Sequence, residues 1–252
     1  MAKKTLVLRI LRTVVITLAV VALSVYWVFP VAFSLYTARR AGPVVRVAPT
    51  DLRDPTVSQA PGRTLSYLGY RLEVPWSDYD ETRTKAYKHK AVELRFRSGL
   101  VLAVTAIPSR EWAAGLADIK MSPQTIESAF GHEAMRSDYD FLKHLYEFTP
   151  EKMNLWALSP GKHYRDAALL LLKAVALSHS AESGVFNVQN QALRGFQQGD
   201  PKVRPDRILI SLYSDEGGVE LILAQRDYRN SAGVTQPEIN RIVQTLRRVP
   251  PE

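Results

Sequence analysis

The sequence predicts an α+β fold: an antiparallel sheet of five to seven strands packed by helices, preceded by one transmembrane helix. Three observations predict it. Residues 13–38 hold 26 consecutive uncharged side chains, more than the about 20 helical residues that cross a bilayer core of about 30 Å. Period-2 alternation around tight turns recurs near residues 92–107 and 207–225, which means antiparallel hairpins. Helical patterns are gathered between these blocks and at the end of the chain, and segregated blocks mean α+β rather than alternating α/β.

The N-terminal segment 1–12 carries Lys3, Lys4, Arg9 and Arg12. A cleaved signal peptide has an apolar core of about 7–15 residues and a small-residue cleavage site. Here the apolar run is far longer, and Pro30, Phe33 and Tyr36 stand where cleavage would be needed. Residues 13–38 therefore read as an uncleaved signal anchor, and the lipid bilayer is a partner through Thr13–Ala38. Tyr26, Trp27, Phe29, Phe33 and Tyr36 bunch in its second half, as at a headgroup boundary. Pro30 is placed to kink the helix there. Counting flanking Lys and Arg puts the N-terminus inside and the remainder outside the cytoplasmic membrane, although Arg39, Arg40 and Arg46 narrow the margin.

Residues 39–62 contain Pro43, Pro49, Pro55 and Pro61 and read as an extended tether. Residues 63–252 are then one globular α+β domain of ordinary size. The formal net charge of +8 is mostly a property of the membrane flank. Residues 1–60 hold eight Lys/Arg against two Asp/Glu, and the remainder holds 25 against 23. A nucleic-acid partner, which needs basic residues clustered within the fold, is not expected. No cysteine occurs, which excludes disulfides, thiolate catalysis and cysteine-ligated zinc.

In the domain, Leu65–Val74 reads as one half-buried strand ended by Pro75. Residues 77–90 are a charged loop. Val92–Phe96, the Ser98-Gly99 turn and Leu100–Ile107 form a hairpin whose second strand is central. Helix starts are marked by Ser122-Pro123, Thr149-Pro150 and Ser159-Pro160, and by Ser137 before Asp138–Phe148. Lys162–Ser178 is the most apolar helix, expected against the sheet. Val185–Phe196 is strand-like, and Arg207–Tyr213 and Val219–Gln225 form a second hairpin. A closing helix opens on the capping box Thr235-x-x-Glu238.

The run Gly69–Trp76, a strand ending in Pro-Trp, resembles the opening of the Mog1/PsbP-like fold. The two late hairpin strands followed by the helix Thr235–Arg247 are similar too. That family includes envelope-anchored bacterial proteins and photosystem accessory subunits. The resemblance implies an α/β/α sandwich that works as a binding or assembly module, and it carries over no functional residue.

No catalytic, cofactor or metal motif is complete. His132-Glu133 begins a zincin motif, but Arg136 stands where the second His is required. Asp140 and His144 are spaced to meet on a helix yet lack a third metal ligand. Gly161-Lys162 lacks the upstream glycine and following hydroxyl of a P-loop. The expected role is a non-enzymatic, membrane-tethered interaction or assembly domain with an envelope protein partner. Its candidate surface is Trp76, Asp78, Tyr79, Asp80, Tyr87 and Phe196, aromatics beside charges or on a glycine-hinged loop. Two alternatives stand beside it. One is an envelope hydrolase that brings together Asp78, Asp80, Glu81, Asp140 or His144; the other is a lipid or small-ligand binder lined by Lys162–Ser178.

Overall fold

The computed structural model describes residues 2–88, 90–118, 124, 127, 130–157, 159–225 and 233–249. The expected helix start at Ser122-Pro123 lies outside them. The chain divides into two compact units, residues 1–46 with 148–175, and residues 47–147 with 176–252. Sequence composition draws a boundary at residue 62; packing draws it at residue 46 and gives the first unit a segment from the middle of the chain.

The larger unit is built on an eight-stranded sheet. Its strands are β1 (Thr50–Asp51), β4 (Tyr79–Tyr87), β5 (Ala91–Phe96), β6 (Leu100–Ile107), β7 (Val185–Gln189), β8 (Arg194–Gln198), β9 (Arg207–Ser214) and β10 (Gly217–Gln225). Their order is β1-β7-β8-β9-β10-β6-β5-β4. All pairings are antiparallel except β1 with β7, so the sheet is mixed. A second sheet holds β2 (Arg63–Tyr67), β3 (Tyr70–Val74) and β11 (Arg247–Arg248). The expected single antiparallel sheet of five to seven strands is thus corrected to a mixed sheet of eight and a separate sheet of three.

Five local differences make up the count: Val185–Phe196 is not one strand but the antiparallel pair β7 and β8, the two-residue strands β1 and β11 are added, and two further differences lie at residues 65–90. Leu65–Val74 is a hairpin, because Leu68 and Gly69 both take positive φ, 54° and 76°, and turn the chain between β2 and β3. The charged residues 77–90 are not a loop; they supply β4, with a register shift between Asp80 and Lys85. An edge strand has no need of an apolar pattern, and charge with a bulge protects it from pairing with another chain.

One face of the large sheet carries the main core. Leu94, Leu102, Ile210 and Leu221 meet Leu72 and Val74 of the small sheet and Ile239 and Ile242 of the closing helix Gln236–Thr245. Both halves of the capping box are formed. The Glu238 carboxylate also accepts from Trp76 Nε1 at 3.0 Å, which ties the helix to the end of β3. The other face of the sheet carries the helix Asp138–Glu147, whose start is fixed by Ser137 Oγ accepting from Asp140 N at 3.1 Å. Thr149-Pro150 opens only the short 3-10 turn Pro150–Lys152.

Residues 50–62 are not free chain. Asn240 Nδ2 donates to Asp54 O at 2.9 Å and Thr56 O at 2.7 Å. Pro237 O accepts from Ser58 N at 2.9 Å, and Arg241 Nη1 donates to Ser58 O at 3.0 Å. Behind these, the buried amides of Gln197, Gln236 and Asn240 bond one another in a chain. Proline density signals an extended conformation, and an extended segment can lie on a surface as readily as hang from it.

The smaller unit contains the apolar helix. Helix is continuous from Ala2–Leu23 through a wide turn at Ser24–Val28 to Phe29–Arg40. The wide turn lets Phe29 N–H reach Ser24 O just before Pro30, which has no N–H to give. Every side chain from Thr13 to Tyr26 is exposed, whereas Pro30, Ser34, Thr37 and Ala38 are buried. Two of them meet the helix Pro160–Ala176: Ser34 Oγ lies 2.9 Å from His163 O, and Leu170 packs with Ala38 and Val45. The Pro160–Ala176 helix, expected on the sheet, therefore covers the second part of the long apolar helix.

Replacing Asn240 with Ala removes both bonds to residues 54 and 56 and takes the Oδ1 acceptor from the buried Gln236 amide. The expected loss is about 1–3 kcal/mol in denaturant melts, with residues 54–60 becoming an early cut in limited proteolysis.

Candidate functional site

Period-2 geometry places Phe196, Ser211, Glu220 and Thr105 in one row across β8, β9, β10 and β6. Glu220 is the acidic member of that row, while its strand neighbours Val219 and Leu221 point to the core face. Above the row stand side chains of Glu111–Asp118 and Asp138–Glu147. Between them lies a cleft of about 250 Å³, lined among others by Thr105, Trp112, Tyr146, Ser211, Tyr213 and Glu220. The start of the first of these helices is held by Asp138, whose carboxylate accepts from Glu111 N at 3.1 Å and Trp112 N at 3.2 Å.

Burial sets the electrostatics of this cleft. It raises the Glu220 carboxyl above the usual range, with Arg207 pulling the other way. It raises the Tyr213 and Tyr146 hydroxyls too. Tyr146 Oη accepts from Gln198 Nε2 at 3.1 Å. The result is a carboxyl biased toward its protonated form, beside phenol, indole, hydroxyl and amide groups. Such a wall can donate and accept hydrogen bonds to a neutral or anionic ligand. A wider cleft of about 880 Å³ shares Thr105–Pro108 and Glu111 with it and adds Lys90, Glu216 and Arg248. Its opening is mixed in charge, since Arg248 is paired with Glu216.

Of the six residues expected to form an interaction surface, Phe196 and Tyr79 are buried, Trp76, Asp78 and Asp80 are half-buried, and Tyr87 is exposed. Phe196 is 1% exposed, stacked on Tyr139 at 5.3 Å and met edge-on by Tyr146. Its glycine neighbours serve the sheet rather than a presented loop: a Cβ at Gly195 would fall on Ser211 O. Tyr79 is buried under Arg63, and its hydroxyl meets Tyr67 and Thr84 at 2.8 and 2.7 Å. Trp76 is half-buried against Phe96. Asp78 accepts from Ser98 N at 2.7 Å and closes the β5–β6 turn. Asp80 is held below the usual carboxylate range by Thr82 and then by Arg83. Tyr87 is exposed and bonds Glu93 at 3.2 Å. Each has a structural task, and the row around Glu220 was missed. Its signal was one acidic residue in an otherwise apolar strand, Val219–Gln225.

A second group of buried ionisable residues lies on the helix Pro160–Ala176: His163, Asp166 and Lys173. His163 Nε2 lies 2.9 Å from Ala157 O, and Lys173 Nζ donates to Phe148 O at 2.8 Å. Burial raises the Asp166 carboxyl and lowers Lys173 to about 8. Among the described residues no three His, Asp or Glu side chains converge as a metal site.

Comparison with protein-family models, with curated proteins and with solved structures gives no match to this chain. The site must therefore be read from its own chemistry.

For Glu220 the folded pKa lies above the unfolded value, so stability is full at low pH and falls as pH rises past about 4.3. Glu220→Gln is expected to melt above the parent at pH 7.5, with the difference gone by pH 4. For Lys173 the folded pKa of about 8 lies below the unfolded value near 10.4, so stability rises with pH across that window. Lys173→Met is expected to flatten the rise between pH 8 and 10.4, read from melts in detergent.

Proposed function

We propose that the chain is a single-pass membrane protein with its N-terminus inside and its folded part outside the cytoplasmic membrane, working there as a binding or assembly module. The observation that carries the anchor is the division of one helix into two solvents. Thr13–Arg40 is long and apolar enough to cross a membrane, and only 6% of its most apolar stretch is buried. Yet its continuation, from Pro30 to Ala38, is folded against residues 148–175. A core helix of a soluble domain would be covered throughout. A cleaved signal would not supply part of the fold. The segment 50–62 is laid down on the closing helix, so it is not a long free leash.

The binding role rests on the cleft around Glu220, where polar groups converge on an aromatic wall. The likeness of Gly69–Trp76 and of the closing helix to the Mog1/PsbP-like pattern supports the same reading. A hydrolase is the second reading. None of Asp78, Asp80, Glu81, Asp140 and His144 lines the cleft, but Glu111 lines it with Glu220. A buried carboxyl and an exposed one in a single cleft are the parts of an acid–base pair.

The anchor is tested by intact mass of the membrane-extracted protein, expected to be that of the full 28.3 kDa chain; loss of the first 30–40 residues would refute it. Direction is tested with Gln191→Cys, since the chain has no cysteine of its own and Gln191 is exposed. An impermeant maleimide should label this variant in cells whose outer envelope has been opened and whose inner membrane is sealed. Labelling only after lysis would reverse the topology.

A further inference from the structure

We propose that the protein touches the bilayer twice: through its anchor, and beside it through Trp156 and the outward face of the helix Pro160–Ala176, which rest on the lipid interface. This rests on the reading of Thr13–Ala38 as a spanning helix. Twenty residues from Thr13 end at Ala32 and, at 1.5 Å each, cover the about 30 Å of a bilayer core. The outer boundary of the hydrocarbon thus falls in the stretch Trp27–Phe33. Three contacts set residues 157–164 at that same level. Trp27 Nε1 donates to Ala157 O at 3.1 Å, Ser34 Oγ lies 2.9 Å from His163 O, and the rings of Phe33 and Tyr164 are 5.9 Å apart.

At this level the second segment points apolar groups outward. Trp156, next to the carbonyl held by Trp27, is 83% exposed. An indole so exposed on a water-facing surface is unusual, whereas at the headgroup boundary Trp and Tyr are enriched. The helix continues the pattern. Tyr164, Ala168, Leu171 and Val175 follow one another at helical spacing and are exposed, Val175 to 82%. The polar residues His163, Asp166 and Lys173 are turned inward. A helix on the surface of a water-soluble protein turns such polar residues outward; here they share the inward face with Ala167, Leu169 and Leu170. Arg165 flanks the apolar stripe on one side, where a long cationic stem reaches lipid phosphates. A second protein would also cover such a stripe, but the depth of residues 156–164 beside the anchor favours lipid.

The test uses the full chain in phosphatidylcholine vesicles, with an environment-sensitive fluorophore on single cysteines. The variants are Trp156→Cys, Leu171→Cys and, as a reference in the anchor, Val20→Cys. All three side chains are exposed in the fold. The label at 156 should shift to the blue, lose emission to a shallow doxyl lipid and resist iodide; the label at 171 should be quenched by the same lipid less strongly. Full iodide quenching at 156 without doxyl quenching, while position 20 still responds to a deep doxyl lipid, would overturn the second contact and leave the anchor standing. Protection at 156 from both quenchers would mean a protein contact and would also overturn it. An aqueous signal at position 20 would sink the spanning helix itself, and the second contact with it.

Discussion

The pairing of β6 with β10 is the constraint on which the larger unit depends. These strands are far apart in sequence, yet they pair in continuous register from Gly218 with Ile107 to Gln225 with Leu100. Without the seam there are two antiparallel meanders, β4-β5-β6 and β7-β8-β9-β10, each with an apolar face and no partner. With it, one sheet offers a continuous face to the small sheet and the closing helix. The same register sets Thr105 beside Glu220, so the seam that builds the core also builds the floor of the cleft.

The smaller unit follows a different rule. Its long helix is exposed all round from Thr13 to Tyr26, and one-sided where Ser34, Thr37 and Ala38 are covered. Small residues let a neighbouring backbone come close, and Ser34 uses its hydroxyl on two carbonyls, Pro30 O and His163 O. The partner helix buries His163, Asp166 and Lys173 together with Ala167, Leu169 and Leu170, and leaves Tyr164, Ala168, Leu171 and Val175 exposed. Burial there raises the Asp166 carboxyl and lowers the Lys173 ammonium to about 8.

Much of the fold was legible because local chemistry declared it. Gly99 and the alternation around it gave the β5–β6 hairpin, and Gly217 did the same for β9–β10. Thr235 and Glu238 announced a helix start that the structure forms in full. What could not be read were features decided by position in the assembly. Tyr79–Tyr87 looks like a charged loop because an edge strand tolerates charge on its open side. Thr50–Asp51 is a strand only because Phe186–Asn187 lies beside it. Phe196 was taken for a presented aromatic, since glycine on both sides signals a hinge; close strand packing demands glycine for a different reason. The site around Glu220 was hidden for the same cause as the seam: cross-strand neighbours are invisible until register is known.

The order of the chain gives the smaller unit a history. Its two parts, residues 1–46 and 148–175, are separated by a stretch that belongs to the other unit. During synthesis at 5–20 residues per second, roughly 6–25 s pass between the emergence of Ser34 and that of His163. Through that interval the face that carries Ser34 and Thr37 lacks the helix that later covers it. The smaller unit therefore closes only when a late helix arrives at an early one, while the last strands and closing helix of the larger unit are still to come.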